Sequence, residues 1–547
     1  MRRLHRADAP GAAHAPTVLT AQGARILWAL LSYKNVGNVI DTPAEEGLAF
    51  AATGAAGQKD APLSAQPEAS SALDVRLLID GSWVPGREGR SLPIIDPSNG
   101  RAVGRVAVAG AFELALAVEA ATRGFAAWRA VAPFDRARVL REAAALLRSR
   151  AGVLAIILTG EEGKPLAQAR HEILSAADTI EWFAEEGKRC FGQLIPGRTA
   201  STQVLTRLEP VGVVAGFTPW NFPISQSVKK VAGALAAGCS IILKGPEEAP
   251  AACAELVRCF ADSGLPPGTI GLLYGEPPQI SRYLVAHPAV RHVTLTGSVA
   301  VGKTVAALAG QHMKSLTLEL GGHAPAIVCA DADLGLAAVE LSRMKFMNAG
   351  QVCLAPTRFL IARPVYREFI DRFVAIARQL RVDAGHKPNV DMGPLANSRR
   401  PELMQALVDD AVKLGAVIEC GGKRLERPGY FYAPTVLSDV PLEARAMNEE
   451  PFGPLALFRP FDSLDEAIAE ANRLPYGLAS YLFTRSIANE AALSEQIEAG
   501  MVAVNRSFSS NIEAPFGGVK DSGYGTEGGT FAIRNFLREK MVARFVG

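Results

Sequence analysis

Four stretches of this chain carry side chains that could do covalent or charge-stabilising chemistry. Cys353 lies in GQVCLAP, flanked by glycine and small residues in a loop after a helical stretch. A thiol there suits a nucleophile, though a lone cysteine also serves as a small buried residue. Glu319 closes the apolar run SLTLEL and precedes Gly321-Gly322. Strand ends are where α/β sheets place active sites, and a glutamate held there can act as a general base. It can equally be a solvated strand-end carboxylate. Asn221 sits in GFTPWNFPIS, where two prolines demand a rigid turn. An amide fixed that way can donate to an oxyanion, or the loop can simply enclose a buried Trp220.

The fourth stretch is VTLTGSVAVGKT. A strand runs into Gly297, and Gly302 opens a helix. The run from Gly297 to Thr304 fits the pattern G-x-x-x-x-G-K-[ST], and AIVCAD, ending at Asp331, could pose as a Walker B strand. A dinucleotide site and a P-loop hydrolase both use glycine amides and a helix N-terminus facing phosphate. They differ in whether Lys303 reaches a γ-phosphate.

The surrounding pattern indicates what positions these residues. RLLIDGSWV reads as a hairpin turning at Asp80-Gly81. Residues 112–128 and 134–151 carry small apolar residues at helical spacing. From residue 211, short apolar strands alternate with helices: VGVVAGF, SVKKVAGALAAG, SIILK, TIGLLYG, VRHVTLTG, APAIVCA. That alternation means βαβ units and a parallel sheet. A second series follows residue 355, with TRFLIA, a helix near 365–380, ALVDDAVKLGA and LASYLFT. Two α/β domains are expected. Residues 539–546 alternate like a strand with nothing after them to pair with, which suggests joining a partner's sheet. Residues 1–75, rich in Ala, Gly, Pro and Ser, read as a disordered extension or a start codon placed too far upstream, without a function of their own.

Composition narrows the function classes. The 547 residues are 49 % apolar and 20 % charged, with net charge +2. Mixed charges of that balance supply no electrostatic case for nucleic acid or an anionic membrane. The seven cysteines form no C-x-x-C pair, which points to a reducing compartment, and the eight histidines show no ligand spacing, so no metal is expected. No apolar run reaches the roughly 18 residues that span a bilayer. The early arginines precede no clean apolar core of a signal peptide, and the cytoplasm is the expected location.

Taken in order, PWNFP, LKGPEE, TGSVAVG, LELGG, GQVC, NEEPFGP and APFGGVKDSGYG resemble the blocks of the aldehyde dehydrogenase superfamily, from about residue 77 to the C-terminus. The spacing of Glu319 and Cys353 also looks like that family's. EEGKRCFGQLIPGR and GALAAGCSIILK are most similar to bacterial NAD(P)-dependent succinate-semialdehyde dehydrogenase-like members. The resemblance implies a Rossmann-type NAD(P)-binding domain over 76–190 and 211–321, an α/β catalytic domain over 322–525, and a small β oligomerisation element from 191–210 and 526–547. A homodimer or homotetramer follows from it, and the P-loop match becomes fortuitous.

It also implies roles. Cys353, as thiolate, attacks an aldehyde; Asn221 holds the oxyanion; Glu319 activates the water that hydrolyses the thioester. On the cofactor side stand Trp220, Lys244, Glu247, Gly297, Ser298, Gly302, Leu320, Glu450 and Phe452. A carboxylate at Glu247 repels a 2′-phosphate, which favours NAD over NADP. The segment here is Lys244-Gly245-Pro246-Glu247 rather than the usual Lys-Pro-Ser-Glu, which leaves the placement of Glu247 open. The substrate funnel falls on Lys229 and Met347, where succinate-semialdehyde enzymes carry arginines. Lys229 keeps a charge without the bidentate fork, and Arg506 could supply a further cation. A small carboxylated semialdehyde is therefore expected. An uncharged aliphatic or aromatic aldehyde, lined by Met347 and Phe508, is the alternative, and a nucleotide hydrolase or an inactive scaffold relative are remote ones.

Overall fold

The computed structural model describes residues 73–508 and 511–546. The expectation for residues 1–75 falls almost wholly outside them. An eight-stranded sheet carries the first βαβ series. Its five central strands are parallel and run Ile270–Leu273, Ser240–Lys244, Val213–Phe217, Val290–Gly297, Ser315–Leu320. In chain order that is 3-2-1-4-5, the doubly wound arrangement. Strand order reverses between Val213–Phe217 and Val290–Gly297, so the loops leaving these strands diverge and open a crevice at their carboxyl ends. Asn221, Lys244, Gly297 and Glu319 all lie at or just past those ends.

The strands are largely buried because helices cover the sheet. One of these, Pro223–Ala237, is buried nearly all round and stops at Gly238, whose φ of +93° suits the left-handed C-terminal cap. The Leu77–Ile79 and Ser82–Val84 hairpin joins the sheet antiparallel, and Asp80 and Gly81 both have positive φ at its turn, as expected for a two-residue hairpin loop.

A seven-stranded sheet follows the order Val417–Cys420, Thr435–Ser438, Leu455–Phe461, Arg358–Ala362, Pro325–Val328, Ala479–Phe483, Met501–Val504. Only the first of these is antiparallel to its neighbour. Phe359, Phe373 and Phe458 stack at its heart.

Three sequence expectations are corrected here. Gly523–Tyr524 pairs with Ser315–Leu320, so it belongs to the first sheet, not to the second series. The C-terminal strand does have a partner in its own chain: Leu537–Phe545 runs antiparallel to Thr202–Pro210 over its whole length, and Leu194–Pro196 completes the sheet. The local reading of the tail missed this partner, although the resemblance had grouped 191–210 with 526–547. Finally, the helix Pro133–Glu162 is long and apolar enough to span a bilayer by composition. It instead buries Leu140, Ala143, Leu147, Leu154 and Leu158 against the helices Leu166–Glu186 and Pro250–Asp262.

Candidate active site

Glu319 is placed by its strand. It lies in register with Thr296 on one side and Gly523 on the other. Its side chain is buried, and the neighbour within hydrogen-bonding influence of its carboxylate is the Cys353 thiol. Burial, with the Glu527 charge second, pushes its pKa up to about 7, against the opposing pull of Lys229 and Lys230. Such a carboxyl shares its proton near neutrality, which is what a general base requires.

Cys353 follows an unusual turn. The helix Leu334–Phe346 ends, and Asn348, Ala349 and Gly350 take φ of 48°, 53° and 72°. Left-handed backbone is rare for non-glycine residues and costs on the order of 1 kcal/mol each. The turn is held from outside. The Asn348 amide donates to Gln168 Oε1 at 2.9 Å, and the Asn348 side chain donates to the Asn221 carbonyl at 2.9 Å. Gly350 presses so close to Gly453 that a Cβ would lie 2.1 Å from its carbonyl oxygen.

Asn221, itself buried, donates from Nδ2 to the Gln351 carbonyl at 2.9 Å, two residues before the thiol. Its nitrogen carries a second N–H. The PWNFP loop of one sheet and the GQVC loop of the other are therefore one hydrogen bond apart. The Cys353 thiol is held well above its ordinary pKa, first by burial and then by the Glu319 charge, with Lys229 opposing. A thiol shifted that way favours its protonated form at neutral pH, so the attacking thiolate must be generated in place. Attack requires a base, and Glu319 is the neighbouring one.

The crevice carries the cofactor candidates. Lys244 Nζ meets Glu247 Oε2 at 2.5 Å, and Glu247 Oε1 accepts from the Gly275 amide at 3.0 Å. This settles where Glu247 lies: beside Lys244 at the strand ends. The shifted proline has a packing reason, because a Cβ at Gly245 would sit 2.5 Å from the Tyr274 ring. Ser298 caps the helix Val299–Gln311 by accepting from Val301. Gly302 serves packing instead of phosphate. Its amide bonds to the Ser298 carbonyl, and a Cβ would lie 2.4 Å from Leu320. Lys303 points outward, 62 % exposed and paired with Asp521 at 2.6 Å. Asp331 accepts from Thr484 and Arg485 beside the second sheet. The Walker reading fails on both residues.

Glu450 crosses from the second sheet. Its Oε1 accepts from Gly322 at 3.2 Å, and a Cβ at Gly321 would lie 2.2 Å from its Oε2. The paired glycines after Glu319 thus admit this carboxylate. Phe452, at φ 47°, meets Trp220 edge-on with centroids 5.7 Å apart. A helix N-terminus, carboxylates at strand ends and an aromatic platform suit a nicotinamide dinucleotide.

Of the substrate candidates, three are partly buried. Lys229 lies 3.6 Å above the Phe516 ring, and burial pulls its pKa below the ordinary lysine value, with the Glu527 and Glu319 carboxylates opposing. Met347 and Phe508 pack on the second core, Phe508 edge-on to Tyr481 at 5.1 Å. Arg506 is exposed, with its Nε on the Ser507 carbonyl.

The sequence profile of the aldehyde dehydrogenase family matches residues 83–542. This chain belongs to that family. It is 48 % identical over 466 residues to 4-(hydroxymethyl)benzenesulfonate dehydrogenase of Comamonas testosteroni, covering 85 % of this chain and 97 % of the relative. Identity is 39 % to the NADP(+) succinate-semialdehyde dehydrogenase of Escherichia coli, over 85 % and 96 %, and 39 % to 3-sulfolactaldehyde dehydrogenase of Pseudomonas putida, over 86 % and 97 %. The crystal structure of succinate-semialdehyde dehydrogenase from Burkholderia pseudomallei superposes with TM-score 0.85 at 39 % identity, covering 86 % of this chain and 98 % of that one.

Several residues of this aldehyde dehydrogenase site escaped the sequence reading. Lys230 Nζ bonds Glu527 Oε1 at 2.5 Å and Thr296 Oγ1 at 2.6 Å, a buried pair behind Glu319. The doubled lysine of SVKKV, on a helix otherwise apolar, was the available signal. Arg400 donates to the carbonyls of Pro451 and Phe452 and so braces the platform. Nothing in its local sequence marks it.

Proposed function

We propose that this aldehyde dehydrogenase prefers NAD and oxidises an aldehyde with an anion remote from the reacting carbon. The carrying observation is Lys229, a cation over the Phe516 ring within electrostatic reach of Glu319 and Cys353. The names of the relatives include two sulfonates and a semialdehyde of a dicarboxylic acid. A lysine presents a point charge, which is compatible with sulfonate or carboxylate alike. Met347, Phe508 and Phe516 offer apolar walls for the body of the substrate, small and aliphatic or aromatic.

Chemistry follows from the chain's own groups. Glu319 takes the thiol proton as Cys353 sulfur adds to the aldehyde carbon. The oxyanion receives the second N–H of Asn221 and the backbone N–H of Cys353. Each such donor is typically worth about 3 kcal/mol of transition-state stabilisation. A nicotinamide dinucleotide, held by Lys244, Glu247, Ser298 and Glu450, supplies the hydride acceptor when bound. Loss of hydride leaves a thioester on Cys353. Glu319, deprotonated again, removes a proton from the attacking water, and the acid departs as the thiol re-forms.

Two measurements test the substrate and cofactor readings. Lys229→Met should lower kcat/KM for succinate semialdehyde and 4-sulfobenzaldehyde about 10- to 100-fold, the value of one charge-assisted bond. Butanal and benzaldehyde should change little. Equal kcat/KM for benzaldehyde and its sulfonate in the parent enzyme would return the reading to uncharged aldehydes. Glu247→Gln should shift the NAD to NADP ratio of kcat/KM toward NADP by about tenfold, since a like-charge clash is removed. An unchanged ratio would remove Glu247 as the discriminator.

A homodimer or homotetramer in the cytoplasm completes the proposal. Leu194, Met541 and Phe545 lie exposed on the three-stranded sheet, with Phe191 beside it, and an apolar surface of that kind favours association. All seven cysteines are unpaired, which suits a reducing compartment.

A further inference from the structure

We propose that Lys164 is a positioning residue that holds the Asn221 peptide, and through it the oxyanion donor. The inference rests on Asn221 acting as the oxyanion donor. Lys164 comes from the loop EEGKP between the two long helices, and its side chain is fully buried. The loop is clamped. Gly385 and Gly393 approach so closely that a Cβ on either would lie 2.3 Å and 2.0 Å from the carbonyl oxygens of Lys164 and Gly163. Leu166 donates back to the Gly385 carbonyl at 3.0 Å.

The ammonium has a defined set of partners. Nζ donates to Glu172 Oε2 at 2.6 Å and to the Asn221 carbonyl at 2.8 Å. Glu162 Oε2 lies 3.9 Å away, and the Phe222 ring centroid 4.0 Å. Glu172 uses its other oxygen to accept from the amides of Ile224 and Ser225, at 3.0 and 3.1 Å. One carboxylate thus anchors the lysine and caps the helix Pro223–Ala237 that follows Asn221. The Asn221 carbonyl accepts a second bond, from Asn348 in the left-handed turn before Cys353. Both walls of the reaction centre therefore meet on this one carbonyl oxygen.

Burying such an ionic cluster is a poor way to add stability, since apolar residues of similar volume usually do as well. What the cluster supplies is a single orientation. Freed from Lys164, the Asn221 peptide keeps only the Asn348 bond and can rotate, carrying Nδ2 away from the oxyanion. Displacements near 1 Å in a reacting geometry cost about 100-fold in rate.

A double-mutant cycle tests this, read as the pre-steady-state burst of NADH with succinate semialdehyde and saturating NAD. Asn221→Ala alone should slow the burst about 100- to 1,000-fold; a normal burst there would refute the donor reading itself. Lys164→Met should slow it about 10- to 100-fold in the parent but by less than about twofold in the Asn221→Ala background, because interacting residues are not additive. NAD binding, followed by fluorescence, should stay unchanged in all variants. Equal slowing in both backgrounds, or none in the parent, overturns the proposal. Should Lys164→Met fail to fold, Glu172→Gln, which loosens the anchor and keeps the lysine, runs through the same cycle with the same criteria.

Discussion

Cys353→Ala will form no NADH with any aldehyde, while NAD still binds. In the proposed mechanism the sulfur makes the covalent bond with the carbonyl carbon, and among the described residues no second thiol lies beside Glu319. Cys239, Cys253, Cys259 and Cys329 are buried in the cores, with thiols pushed to about 11 or 12 by burial. The same physics constrains the parent enzyme. Burial and Glu319 keep the resting Cys353 protonated, so alkylation by iodoacetamide should be slow at neutral pH and accelerate as the solution becomes alkaline. Turnover in the alanine variant would end the covalent mechanism. Fast, pH-independent alkylation would show instead that the thiolate is the resting form.

Glu319→Gln will give one equivalent of NADH per chain and then stall. Acylation can still proceed on the fraction of Cys353 that ionises, but no group remains to deprotonate the hydrolytic water. The steady-state rate should fall about 100- to 10,000-fold, the range of general-base contributions, and mass spectrometry should find the acyl group on Cys353. The pH dependence has a definite sign. Glu319 titrates at about 7, raised by burial and by Glu527, and only its deprotonated form is a base. The parent's steady-state rate should therefore rise as pH increases through 7, and that rise should vanish in the glutamine variant. A normal steady-state rate in Glu319→Gln would refute its role.

Much of the chemistry could be read directly from the residues. Cys353, Glu319 and Asn221 sit in short blocks whose glycines and prolines are dictated by local backbone geometry, and local geometry is what a linear sequence encodes. The alternation of short apolar strands with helices likewise specified a parallel sheet, because periodicity reports which faces are covered. The hairpin at Asp80-Gly81 is of the same kind: its turn needs positive φ at both positions, and those residue types supply it.

Other features depended on residues far apart in the chain. Gly302 and Lys303 matched a phosphate loop by pattern, yet the helix buries the first under Leu320 and turns the second to Asp521. A motif records residue types and cannot say where a helix face points. The tail strand found its partner at Thr202–Pro210 for a related reason, since strand pairing has no signature in either segment alone. The resting protonation of Cys353 followed from burial and a carboxylate brought in by another sheet.

What the sequence by itself determined was the set of reactive groups and the layered α/β architecture, because spacing and hydrophobic period are local quantities. Tertiary structure alone decided that Lys164 and Asn348 share the Asn221 carbonyl and that Lys229 lies over the Phe516 ring. Those are contacts between segments well apart in the chain, and their energies exist only once water has been excluded from between them.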